Sequence, residues 1–341
     1  MNQVSKPKIV IVGAGAVGSV IGGLLARDGQ DVTLIARSAH VEVINKNGLI
    51  IDGEMGKFII NVQAKSELDF RPDIVLLAVK AQDVEAVCKQ IKPYVIGVPV
   101  LMLQNGIRSD EMAASVLGDE NIISCVVMFN ARFINPGCVT YGVKGSLLIG
   151  ETFRKNGKRV EYLASFLNSS IKTEVSDNIS GVRWTKLLVN IVGNGLEAIA
   201  GISFGECMKH SEMRRIGIYI LREGFNVAEK AGIKLVSLPN LPISAFRTTI
   251  RSPLPIASLV LGLTMGGTNT VTSTLQSIRK GKPTEINYLN GEIMKQGRKI
   301  NLATPYNAKV VELVHNVERT GQFYSPSQIE TLFRPPNKAC T

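Results

Sequence analysis

Three polar residues stand out in an apolar stretch, Trp184-Thr185-Lys186-Leu187-Leu188-Val189-Asn190-Ile191-Val192-Gly193-Asn194. Lys186, Asn190 and Asn194 fall at i, i+4 and i+8, so a helix places one ammonium and two carboxamides on a single face. Nearly everything between them is apolar, which buries such a helix on most sides. A buried charge and buried amides must find partners. Either a polar ligand supplies them or an internal network between helices does. Glu285, in Thr284-Glu285-Ile286-Asn287-Tyr288, is a candidate to pair with Lys186 and favour its charged form. It reads equally well as a helix-dipole partner in a first turn.

The N-terminus offers a place for a cofactor. Gly13-Ala14-Gly15-Ala16-Val17-Gly18 is a G-x-G-x-x-G run between the β-branched stretch Lys8–Val12 and a helical stretch Val20–Arg27. In that setting the run is a dinucleotide fingerprint. Gly13 permits the tight turn, Gly15 lets backbone approach a pyrophosphate, and Gly18 lets helix and strand pack closely. The next strand, Asp31–Ile35, ends in Ala36-Arg37-Ser38. An acid there would bond a ribose 2′-hydroxyl, whereas the guanidinium of Arg37 suits a 2′-phosphate. The expected cofactor is therefore NADP(H). Lys80 and Asn105 follow two further apolar strands, Asp73–Val79 and Val98–Leu103. They fall where open α/β sheets bind ligands, Lys80 facing phosphate or ribose and Asn105 the nicotinamide end.

The elements that must position these groups separate into two kinds. Strands alternate with helical stretches up to about residue 177, which predicts a doubly wound parallel sheet of Rossmann type. Helical stretches at roughly 181–200, 209–231, 269–280, 284–299 and 305–319 then dominate. The expected domains are 1–177 for NADP binding, 178–320 for substrate and catalysis, and a loosely packed tail over 321–341.

Composition removes several classes. Hydrophobic residues make up 45% of the 341 and charged residues 20%, so the chain can bury a core. The net charge of +11 comes from scattered residues without interleaved aromatics, which reads as a basic surface and not a nucleic-acid footprint. The five cysteines form no C-x-x-C pair, so neither a disulfide framework nor a metal site is indicated, and the reducing cytoplasm is expected. The uncharged stretch between Arg251 and Arg279 fades into Thr, Ser, Gly and Asn, so no membrane span is expected. Cys340, near the end, is expected to be an exposed thiol.

Taken in order, Gly13 to Gly18, Lys80-Ala81, Gln104-Asn105-Gly106, Trp184 to Asn190 and Thr284 to Gly291 resemble the ketopantoate reductase (2-dehydropantoate 2-reductase) family over roughly residues 8 to 319. The resemblance implies a Rossmann domain joined to an all-helical, 6-phosphogluconate-dehydrogenase-like domain, with a 2-oxo acid reduced by NADPH in the cleft between them. It implies ketopantoate as substrate and a step towards pantothenate and coenzyme A. It implies Lys186 as catalytic lysine, with Glu285 assisting the lysine and the cofactor. Asn105, Asn190, Asn194 and Ser273 become substrate contacts, and Arg37 and Lys80 NADP contacts. Two segments depart from the family pattern. Asn194 is followed by Gly195-Leu196-Glu197 where Pro and Thr are common, and Phe204-Gly205-Glu206 stands where Asn-Gly-Glu is common. A reductase of another 2-oxo acid is thus one alternative, and a non-catalytic NADP(H) sensor is another, against which Lys186 and Glu285 argue. A homodimer is left open.

Overall fold

The computed structural model describes residues 6–54, 56–265 and 271–334; Cys340 lies outside them. The chain divides into two compact units between Ser180 and Gly181.

The first unit is α/β. Its strands, in chain order, are β1 (Lys8–Val12), β2 (Asp31–Ile35), β3 (Leu49–Gly53), β4 (Phe58–Ile60), β5 (Gln63–Lys65) and β6 (Ile74–Leu77). They continue with β7 (Val100–Met102), β8 (Ile122–Val127), β9 (Ala131–Asn135), β10 (Cys138–Tyr141), β11 (Leu147–Gly150) and β12 (Thr173–Val175). The larger sheet runs β12-β11-β8-β7-β6-β1-β2-β5. Every neighbouring pair in it is parallel except β8 with β11. Strand order reverses at β1, between β2 on one side and β6 on the other. That is the switch point at whose carboxyl ends a doubly wound sheet binds ligands.

The strand period of two sorts the core. Ile9 and Ile11 of β1 face the helix Ala16–Arg27, while Val10 and Val12 face Val84, Cys88, Ala113 and Leu117 of the helices Val84–Ile91 and Ser109–Leu117. A second sheet, β4-β3-β10-β9, covers the far side of the helix Ala16–Arg27. Two adjacent glycines make that double contact fit. A Cβ at Gly22 would lie 2.5 Å from Leu34 of the larger sheet, and one at Gly23 would lie 2.6 Å from Ile51 of the smaller.

The second unit is helical, built on the 22-residue helix Ile179–Ala200. Around it are Phe204–Lys209, Ser211–Lys230, Ile243–Arg251, Leu254–Met265, Ser273–Arg279, Asn290–Lys299, Pro305–Thr320 and Pro326–Leu332. A buried polar network ties four of them. Asn290 Nδ2 donates to Ile191 O and to Asn307 Oδ1, and Asn307 Nδ2 donates to Ile220 O and Glu223. The described part of the tail expected to be loose, residues 321–334, is docked on this unit: Tyr324 N donates to Ile199 O at 3.0 Å, Ser325 and Gln328 form a capping box, and Ile329 is fully buried. Among the described residues no helix is long and apolar enough to cross a membrane.

Candidate active site

The glycine loop is anchored before any ligand arrives. Gly13 N and Ala14 N both donate to Ile35 O at the end of β2, at 3.0 and 2.9 Å. The three glycines do different work. Gly13 sits at φ +92°, and a Cβ there would lie 2.6 Å from the Val79 backbone nitrogen. A Cβ at Gly18 would lie 2.6 Å from Gly13 O. At Gly15 the nearest atom is 4.0 Å away, so that side of the loop opens onto space. Gly15 is also the N-cap of the helix Ala16–Arg27, with no side-chain cap and no acid in the first turn. The N–H groups of Ala16, Val17 and Gly18 therefore have no carbonyl within the helix to bond. Bare backbone, oriented donors and the positive helix end together fit a pyrophosphate.

Arg37 stands two residues beyond β2 and is exposed, as N-cap of the helix Ser38–Asn47. Among the described residues its guanidinium has no ion pair. Lys80 opens the short 3-10 turn Ala81–Asp83 just after β6. Asn105 is exposed just after β7 and is followed by Gly106 at φ +85°. Gln104 beside it is buried and donates from Nε2 to Leu77 O and Val79 O, at 2.9 and 3.0 Å. It clamps the strand end against which Gly13 packs. The spacing of the run singled out Asn105; the structural role of Gln104 had no signal in it.

In the helical unit the helix Ile179–Ala200 is buried on nearly every side, with Val189 exposed. Lys186 is half-buried, and burial lowers its ammonium pKa from 10.5 to about 8. Asn190 lies one turn on, also partly accessible. Asn194 is buried and engaged. Its Nδ2 donates to Asn190 O at 3.0 Å, and its Oδ1 accepts from Thr274 Oγ1 at 2.8 Å and from Ser273 Oγ at 3.4 Å. The structure thus joins Asn194 and Ser273 directly, with Thr274 as the shorter partner.

Glu197, cited from sequence only as a departure, organises this region. It is fully buried and accepts from Phe204 N at 2.9 Å and from Thr272 N at 2.7 Å. Those two amides begin the helices Phe204–Lys209 and Ser273–Arg279, so one carboxylate holds both N-terminal ends. Burial raises its pKa, and the two backbone amides oppose that. Its signal was legible: a lone acid three residues after Asn194, on the same face, inside an apolar run. The other departures also have physical reasons. A Cβ at Gly195 would lie 2.6 Å from Val310, so the close approach of the helix Pro305–Thr320 demands glycine. Glu206 makes a capping box with Ser203.

Glu285 sits differently from its expected place in a continuous helix over 284–299. It precedes the 3-10 turn Ile286–Tyr288, and the regular helix restarts only at Asn290. Leu289, at φ −110° and ψ −98°, breaks the run, and Asn290 spends its amide on Ile191 and Asn307.

Two family models match the chain. The one described as "Ketopantoate reductase PanE/ApbA" covers residues 9–153, and its C-terminal companion covers 178–318. A 2-dehydropantoate 2-reductase of Pyrococcus horikoshii is 34% identical over 316 residues, 92% of this chain and 98% of that protein. The crystal structure of a PanE/ApbA family ketopantoate reductase from Ralstonia eutropha superposes with TM-score 0.79 at 30% identity, over 92% of this chain and 98% of that one. D-mandelate dehydrogenase in ternary complex with NADH and anilino(oxo)acetate superposes with TM-score 0.80 at 28% identity, over 92% and 99%. Glycine loop, lysine helix and both family matches run in one order along one chain, which belongs to the ketopantoate reductase family of oxidoreductases acting on CH–OH groups.

Proposed function

We propose that this chain reduces 2-dehydropantoate to pantoate with NADPH, a step towards pantothenate and coenzyme A in the cytoplasm. The observation that carries the reading is Lys186, held on a largely buried helix with its pKa lowered to about 8 and sharing a face with Asn190 and Asn194. When bound, the nicotinamide supplies hydride to the ketone carbon. Lys186 stabilises negative charge on the ketone oxygen and delivers the proton there. With a pKa near 8 it is charged at neutral pH yet gives up its proton more readily than an exposed lysine. Glu285 keeps it charged. Asn105, Asn190 and Ser273 orient the carboxylate and hydroxyl of the substrate, and Asn194 fixes Ser273 in place. Arg37 and Lys80 bind the phosphates of NADPH, and the open side of Gly15 receives the pyrophosphate.

The test follows NADPH absorbance with 2-dehydropantoate, a panel of other 2-oxo acids, and NADH in parallel. Turnover fastest with 2-dehydropantoate and NADPH is expected. A flat response to every acid despite tight NADPH binding would replace the enzyme with a sensor. The reductive kcat/KM is expected to fall tenfold per pH unit above about 8, as Lys186 loses its proton.

A homodimer is part of this reading. The helix Leu254–Met265 is uncharged throughout, yet Ile256, Leu259 and Leu263 are 53%, 62% and 78% exposed on one face. Apolar patches of this kind mark contacts. No residue between Arg251 and Arg279 is charged, so the helix itself brings no charge to a contact with a second copy, although the chain carries +11. Sedimentation at micromolar protein should give a dimer that Leu259→Glu dissociates; a monomer at every concentration removes it.

A further inference from the structure

His40 lies three residues beyond Arg37 and is 4% exposed. Its two ring nitrogens engage two other elements. Nδ1 accepts from Gly137 N–H at 2.8 Å, in the turn between β9 and β10. Nε2 lies 3.2 Å from Ser19 Oγ, and that hydroxyl donates to Ala14 O in the glycine loop at 3.0 Å. These contacts fix the tautomer. A backbone N–H can only donate, so Nδ1 must carry its lone pair. The Ser19 hydroxyl spends its single hydrogen on Ala14 O, so it must accept from Nε2–H. One consistent chain results: Gly137 N–H to His40 Nδ1, His40 Nε2–H to Ser19 Oγ, Ser19 Oγ–H to Ala14 O. The backbone closes the loop, since His40 N donates to Arg37 O at 2.9 Å.

We propose that neutral His40 is a positioning residue for the cofactor, holding the Ala14 carbonyl of the glycine loop and the Arg37 turn in one register, and that its protonation weakens dinucleotide phosphate binding. The inference rests on the NADP(H) reading above. Protonation would set an N–H on Nδ1 against the N–H of Gly137, two donors face to face. The groups around the ring are Ser19 from the helix Ala16–Arg27, and Gly137 and Phe133 from the smaller sheet, with the Phe133 ring centroid 4.9 Å away. None carries a charge to compensate. The charged residues of the packed elements, Arg27, Arg37, Glu42, Lys46 and Arg132, are all exposed. Burial accordingly holds the His40 pKa below its usual 6.5.

Linkage supplies a test that needs no variant. If protonation weakens NADP+ binding, NADP+ binding must lower the His40 pKa by the same factor. The chain has three histidines, His40, His210 and His315, so imidazole resonances of the whole protein can be titrated with and without saturating NADP+. The His40 pKa is expected to fall by about one unit, a tenfold coupling. Calorimetry then compares wild type with His40→Gln, whose amide retains a donor for Ser19 without a titrating charge. The 2′-phosphate of NADP+ itself titrates near pH 6, so the readout is the ratio of the two Kd values, in which that titration cancels. The variant is expected to bind within about fivefold of wild type at pH 8 and to gain on it steadily down to pH 5.5. Failure of the wild type to bind NADP+ at pH 8 removes the cofactor reading and this inference together. Binding with an unmoved His40 pKa, or a constant Kd ratio, removes the inference alone.

Discussion

The glycine loop of the first unit and the Asn194–Glu197 region of the second keep their polar groups in different states. In the Rossmann unit the groups proposed to meet the cofactor stand ready: the amides of Ala16, Val17 and Gly18 have no partners within their helix, Gly15 is bare, and Arg37 has no ion pair among the described residues. In the helical unit Asn194 already bonds Asn190, Ser273 and Thr274, and Glu197 is fully employed on two helix ends. Under the proposed function the glycine loop is a preformed receptor for the cofactor, and the helical unit is a braced frame of which Lys186 and Asn190 are the partly accessible members. The first should respond to mutation in affinity, the second in turnover and stability together.

Lys186→Ala tests that division hardest. A drop of about a thousandfold in kcat/KM is expected, roughly 4 kcal/mol of transition-state stabilisation, with NADPH affinity within twofold of wild type. An equal loss in both quantities would break the comparison. Because burial depresses the lysine pKa, the unfolded chain binds more protons between about pH 8 and 10.5, and the charged form costs stability below that window. Lys186→Met should therefore melt higher than wild type at pH 7 while being inactive. Arg37→Asp comes next. It should weaken NADPH by about 30-fold to 100-fold and leave NADH no weaker, since the new carboxylate can bond the ribose 2′-hydroxyl, as fluorescence titration would show.

A pair of glycine substitutions sharpens the contrast within one unit. Gly15→Ala places a methyl in open space, so it should cost less than about 1 kcal/mol of stability yet weaken NADPH about tenfold. Gly22→Ala drives a methyl into Leu34, so it should cost about 2 kcal/mol with unchanged affinity in the folded fraction. Asn194→Ala is expected to cost about 1–2 kcal/mol and to lower kcat/KM by about tenfold, through Ser273. Denaturant titration paired with steady-state kinetics reads both terms.

Much of the first unit was legible because its signals are local. The run Lys8–Val12 coincides with β1 and Asp31–Ile35 with β2, since a doubly buried parallel strand is continuous apolar sequence. The smaller sheet left no such mark: β4 has three residues, and β9 is nearly all exposed or half-exposed. The helix Leu254–Met265 escaped for the opposite reason, since an apolar surface all round has no period to detect. In the helical unit the face of Lys186, Asn190 and Asn194 was legible from spacing. The engagement of Asn194 by Thr274 was not, because it joins residues 80 apart.

The adjacent glycines of the helix Ala16–Arg27 carry a further consequence. A helix gripped by two sheets cannot fray from one side while the other holds, so its middle amides should exchange with deuterium only when the whole unit opens. Ile21, Leu24 and Leu25, all essentially inaccessible, would then be among the last to exchange. The N-terminal end of that helix would then keep its shape for as long as the unit is folded.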